Sequence, residues 1–178
     1  MEPIFTLQYG EYAVAEALRK KLKGVSVFVP TSAQEKGIDL MLYKFIEGKN
    51  RVVAVQVKMS RAYEGRKKRY SLWFNRFNAQ DNADWFVLVG IYGTYSQNLK
   101  KMKNKTKWET IMLAFKNKEM KNFLSNIRQK KDTSRHDKMF NIEFDDKKEA
   151  ILTRGSVKPK NLSKFLVENR VDEIIKSF

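Results

Sequence analysis

The chain has 178 residues, 42% apolar and 12% aromatic, and its 36 Lys and Arg against 20 Asp and Glu give a net charge of +16. That length and apolar content suffice for a packed core and exclude a disordered chain. Zero cysteines exclude disulfides and thiolate metal sites, and a single histidine, His136, nearly excludes imidazole zinc sites. So basic a chain points to a polyanionic partner, nucleic acid ahead of an anionic membrane, although a solvated lysine-rich surface would give the same total. There is no apolar run of about eighteen residues to span a bilayer and no apolar signal-peptide core at the start, so a soluble, cytoplasmic protein without membrane contact is expected.

In chain order, GEYAVAEALRKKLKG reads as a helix, with Val14, Ala15, Leu18 and Leu22 at helical spacing. VSVFVP alternates at period two and reads as an early strand, and TSAQEK as a polar loop. IDLMLYKF and RVVAVQVKM flank the tight turn EGKN and predict an antiparallel hairpin. A basic loop, RAYEGRKKR, leads to a further strand, YSLWFNRF; NAQDNA is a turn or a short helix. ADWFVLVGIY is apolar enough for the interior of a sheet. Residues 106–131 read as helical, with Trp108, Ile111, Met112 and Phe115 on one face and a phase slip near Asn117. MFNIEF and EAILT predict a hairpin, and KNLSKFLVENRVDEIIKSF a closing amphipathic helix. No repeat or linker interrupts this order, so one domain is expected, with a core over residues 9–95 and an elaboration over 106–178.

The polar residues in the hairpin carry the chemistry. Gln56 and Lys58 lie two apart on a strand and share a face. Pairing about EGKN brings Asp39 toward the level of Lys58, each roughly eight residues from the turn. An ion pair between Asp39 and Lys58 at the sheet end would account for two of the three groups. Glu11, at about 100° per residue, falls in the middle of the Val14, Ala15, Leu18 and Leu22 stripe. The helix dipole would favour an acid in a first turn, but not one facing the core. A divalent ion shared by Glu11, Asp39 and the side-chain oxygen of Gln56 accounts for all of them, and such oxygen ligands suit Mg²⁺ or Mn²⁺.

A helix GEYAVAEAL, a strand, GIDL and then QVK stand in the order of the restriction-endonuclease-like, or PD-(D/E)XK, nuclease superfamily, which the chain resembles over residues 9–92. The resemblance implies an α/β fold with a mixed central sheet: helix, three strands, helix, strand. Here the second helix shrinks to a short segment at most, and extra helices and a small hairpin follow on the C-terminal side. It also implies that Asp39 is the metal-binding aspartate, Gln56 stands at the acidic position of the second half-motif, Lys58 is the motif lysine, and Glu11 is the helix glutamate. The backbone carbonyl of Val57 completes the implied ligand set. Two departures stand out: Ile38 replaces the proline, and Gln56 replaces an acid and so removes a negative charge.

The implied activity is metal-dependent hydrolysis of DNA phosphodiester bonds by a small restriction-type endonuclease or a related junction or repair nuclease. Lys58 would orient the attacking water or stabilise the pentavalent phosphorus. Cutting both strands of a symmetric site would call for a homodimer. Arg61, Arg66, Lys67, Lys68 and Arg69, interleaved with Tyr63, Tyr70 and Trp73, would carry the nucleic acid across the site, unless the loop is merely solvated. A second basic run, LKKMKNKTK, could touch the backbone further along. The alternative is a non-catalytic nucleic-acid-binding protein that keeps this fold, which the Gln56 departure favours. GIYGTY lacks a following YIG, and the acids Glu143, Asp145, Asp146 and Glu149 read as a charged turn, so neither is taken as a site.

Overall fold

Why α1 (Ile4–Lys21) lies on a sheet follows from one stripe: Val14, Leu18 and Leu22 recur at four-residue spacing and all three are buried. The structure, a computed structural model, describes residues 4–30, 37–64, 69–94, 107–128 and 138–178. Among them the strands are β1 (Ser26–Phe28), β2 (Leu40–Ile46), β3 (Lys49–Arg61), β4 (Tyr63–Glu64), β5 (Tyr70–Phe77), β6 (Trp85–Thr94), β7 (Lys107–Lys116), β8 (Lys138–Phe144), β9 (Ile151–Arg154) and β10 (Lys160–Asn161). They form two five-stranded sheets, β1-β2-β3-β6-β7 and β10-β9-β8-β5-β4. In the first, β3 and β6 are parallel and the other pairs antiparallel, so the molecule is α/β with a mixed sheet.

Each face of the first sheet has its own core. Val53, Val55 and Val57 of β3, Trp85, Val87 and Val89 of β6, and Met112 and Ala114 of β7 pack with the α1 stripe. The opposite faces of β6 and β7, through Phe86, Leu88, Tyr92, Ile111, Leu113 and Phe115, pack on the second sheet. Aromatic rings dominate that second core, with Phe74 stacked on Phe140 at 5.2 Å and Phe115 on Phe165 at 4.2 Å between centroids.

Two expectations fail here. Residues 107–116 form strand β7 rather than a helix; among the described residues of that span only α2 (Asn117–Ser125) is helical. Because β7 is covered on both faces, residues Ile111 to Phe115 are all buried and the period-two signal vanishes. The phase slip near Asn117 is the strand–helix boundary itself. The closing segment is likewise not one helix but strand β10, two 3₁₀ turns at Ser163–Phe165 and Val167–Asn169, and the short α3 (Val171–Ile175). Its apolar residues divide between the two cores, Leu162 and Phe165 in one, Val167 and Ile174 in the other. A single straight helix could not serve both.

The hairpins β2–β3 and β8–β9 form as expected. Between β3 and its parallel neighbour β6, the connection runs through β4 and β5 of the second sheet, and residues 78–80 and 81–82 are coil and turn. Strand β5 docks beside the end of β3, where the Trp73 N–H donates to Ser60 Oγ at 3.2 Å.

Candidate functional site

The β2–β3 ladder ends at Leu40 opposite Val55, whereas β3 continues to Arg61. Beyond Val55 the β2-side edge of β3 is therefore vacated, and its backbone groups need other partners. Asp39 supplies them. Its N–H donates to the Val55 carbonyl at 3.0 Å, and its Oδ2 accepts the Val57 N–H at 2.6 Å. A strand residue turns its N–H and C=O to the same neighbour, so the Val57 carbonyl faces this edge as well. The register puts Asp39 beside Gln56 and Val57, two residues short of the Lys58 level that the sequence predicts.

Gly37 fixes the approach to Asp39. It has φ +92, and a Cβ there would meet Gln80 Cβ at 2.6 Å and Asn82 Oδ1 at 2.8 Å. Only glycine meets both demands. Gly10 does the same for the helix: a Cβ would lie 2.9 Å from Met59 Sδ, so its absence lets α1 settle on β3 and brings Glu11 to the strand. Glu11 lies in the core-facing stripe, as the helical angle predicts, but not in a first turn. With α1 starting at Ile4, it is mid-helix, and the dipole does not explain it.

The electrostatics of the cluster are unrelieved. Burial raises the Asp39 pKa above the ordinary value, opposed by the Val57 N–H and by Lys58. Burial also raises that of Glu11, the Asp39 charge raises it further, and Lys58 counters. Both carboxylates thus feel Lys58, yet among the described residues no ion pair joins Lys58 to either. Gln56 is 3% exposed, and its Oε1 has no hydrogen-bond partner. A buried amide oxygen without a donor costs about 1–3 kcal/mol. Among the described residues no cluster of three or more His, Cys, Asp or Glu side chains could hold a metal. The available set is two carboxylates, the orphan amide oxygen and the Val57 carbonyl. These are hard oxygen donors, and the set fits a Mg²⁺-type cation.

The predicted nucleic-acid residues disperse. Arg61 is exposed and its guanidinium lies 5.5 Å from the Trp108 ring centroid. Tyr63 is exposed on β4, and Trp73 is half-buried under the Arg154 guanidinium at 5.2 Å. Arg69 is half-buried, with an unpartnered Nε. Tyr70 is not free for stacking, because it belongs to the inter-sheet core against Tyr92 and Phe144. Arg66, Lys67, Lys68, His136, the TSAQEK loop and the basic run before Lys107 lie outside the described residues. The helical reading hid one residue entirely: Trp108 is 52% exposed, on the α1 side of β7.

Among the described residues, no helix is long and apolar enough to cross a membrane. No family model, curated protein or solved structure matches the chain.

Proposed function

We propose that the chain is a metal-dependent phosphodiesterase of the restriction-endonuclease-like type. More narrowly, we read it as an endodeoxyribonuclease, a small restriction-type enzyme or a junction or repair nuclease, with its site at the vacated edge of β3. The observation that carries the reading is the buried, partnerless Gln56 Oε1 on the strand segment where Asp39 is bonded, with Asp39 and Glu11 both held above their ordinary pKa. An orphan acceptor and two raised carboxylates around one strand segment are the kind of cost that a bound cation would relieve. The order α1, β1, β2, β3, then β6 parallel to β3, supports the resemblance; the strand crossover through β4 and β5 departs from it.

Bound there, Mg²⁺ or Mn²⁺ would polarise a phosphoryl oxygen and acidify a water. The chain's own groups do the rest. Asp39, oriented by the Val57 N–H, would hold the ion with Glu11, Gln56 Oε1 and the Val57 carbonyl. Lys58 places a compact, movable positive charge beside the scissile phosphate, where it aligns the attacking water or offsets charge on the pentavalent phosphorus. The net charge of +16 draws the polyanion in.

Gln56 in place of an acid favours a second reading, a nucleic-acid-binding protein of the same fold without cleavage. Incubating supercoiled plasmid and mixed oligonucleotides with Mg²⁺, Mn²⁺ or EDTA separates the two. Metal-dependent nicking that Lys58→Ala and Asp39→Asn both abolish is the expected result. Salt-sensitive binding without any cutting would replace the nuclease with the binding protein.

A further inference from the structure

A second concave surface lies on the α1 side of the first sheet, away from the vacated edge. It is an open cleft of about 360 Å³ between α1 and β7, within the usual range of small-ligand sites. One helix stripe, Tyr9, Ala13 and Ala17, makes one wall, and Trp108 and Met112 of β7 make the other. Small and apolar residues line its depth, and the two rings stand exposed. An indole left half in water is an unused stacking surface.

The charges around the cleft decide what fits. At its rim Lys20 is bonded to Glu16 at 2.7 Å and Lys21 to Glu168 at 3.5 Å, while the Glu109 carboxylate is turned to the other face of β7, where it accepts the Tyr92 hydroxyl at 3.0 Å. With both lysines already paired, a phosphate would not gain by entering. A neutral, planar, aromatic group would. Outside the cleft, Arg61 stacks on Trp108, which holds its guanidinium fork in place while leaving its donors for an anion. Arg61 stands three residues beyond Lys58 on β3, so one strand connects the two surfaces. An aromatic ring joined to an anion is the chemistry of a nucleotide within a strand. The bases of an intact duplex have their faces covered by neighbours, so the base that enters is an unpaired one.

We infer that this cleft is a base-binding pocket, in which one unpaired nucleobase stacks on Trp108 beside Tyr9 while Arg61 holds the adjoining phosphate. The inference rests on the nucleic-acid reading above but not on cleavage. It narrows the substrate to nucleic acid with an unpaired segment near the scissile phosphate.

Fluorescence anisotropy in EDTA, with a single strand, a full duplex and the same duplex carrying one bulged base, tests it without any cutting. The expected result is tighter binding of the single strand and the bulge than of the duplex. Trp108→Ala and Tyr9→Ala should weaken only those two, by about five- to a hundredfold for Trp108, and Trp108→Phe should keep most of the affinity. Equal binding of all three probes, or an equal loss on all three in Trp108→Ala, overturns the pocket. Plasmid cleavage in Mg²⁺ separates the two claims. Cutting by a wild type whose single-strand binding ignores Trp108 sinks the pocket alone. Trp108-dependent binding with no cutting sinks the nuclease alone. Failure to bind any probe sinks both.

Discussion

Two polar clusters in this molecule, each around one buried side chain, are built on opposite plans. Around Arg170, Nη1 bonds Glu173 Oε1 at 2.7 Å, Nη2 bonds Glu119 Oε2, and the guanidinium lies over the rings of Trp85 and Phe165. Its Nε lacks a hydrogen bond and sits among those rings. Opposite charges are matched and the cluster ties α2 to α3 across the end of the sheet. At the β3 edge, two acids repel each other, the lysine bonds neither, and an amide oxygen faces nothing. In the first cluster the charges are matched as the chain stands, although one N–H is left over. In the second they are not, and the cation proposed for it would supply the missing positive charge.

The sharpest way to break this comparison is to neutralise each cluster and read activity and stability together. Asp39→Asn keeps an acceptor for the Val57 N–H but loses the charge. Plasmid cleavage should fall at least about a hundred- to a thousandfold, while the melting temperature in EDTA holds or rises. A melting temperature that drops with activity would make Asp39 a structural residue. Arg170→Met should do the reverse. A sealed pair costs about 3–5 kcal/mol to break, but Glu119 and Glu173 are partly exposed and can rehydrate. About 2–3 kcal/mol is therefore expected, or about 4–12 °C in melting temperature for a chain of this size, with turnover per folded molecule unchanged.

The site cluster was largely legible in the sequence because each anomaly broke a local pattern. Glu11 interrupts an apolar helical stripe, and Gln56 and Lys58 interrupt an apolar strand. What the linear reading misplaced is the turn: only Glu47 and Gly48 form it, with Ile46 opposite Lys49, and that register sets Asp39 opposite Gln56 rather than Lys58. The C-terminal third was the least legible. Strand β7 is apolar on both faces and mimics a helix in composition, and the closing segment serves two cores at once. The same misreading turned Trp108 into a core residue. No alternation marks it, because its neighbours Glu109 and Thr110 are half-buried and the apolar run starts only at Ile111.

Gln56→Glu moves the site cluster further from the Arg170 plan. A third carboxylate adds repulsion in the metal-free protein and attraction for a cation. The expected outcomes are a lower melting temperature in EDTA and about a tenfold lower Mg²⁺ concentration for half-maximal stabilisation, on the order of 1.4 kcal/mol. Calorimetry or a thermal-shift titration reads both. An unchanged Mg²⁺ midpoint would remove Gln56 from the ligand set.

The smallest effect is a pH dependence whose sign follows from the raised carboxylates. In the unfolded chain Asp39 and Glu11 titrate at their ordinary values; in the folded chain both hold their protons to higher pH. Between those limits the folded state binds more protons, so stability falls as pH rises. The contribution of the two groups is full below the ordinary carboxylate pKa and is lost as pH passes the raised values. The doubly neutral variant Asp39→Asn with Glu11→Gln has no such loss. In EDTA its melting temperature should exceed that of wild type at neutral pH, by about 1–5 °C, and the gap should close on acidification. If Mg²⁺ binds the ionised pair as proposed, its stabilisation of wild type should appear over the same window in which the metal-free protein weakens. The neutral variant should show neither trend. A gap that is independent of pH would mean that the carboxylates act through packing rather than charge, and the contrast with Arg170 would lose its electrostatic basis.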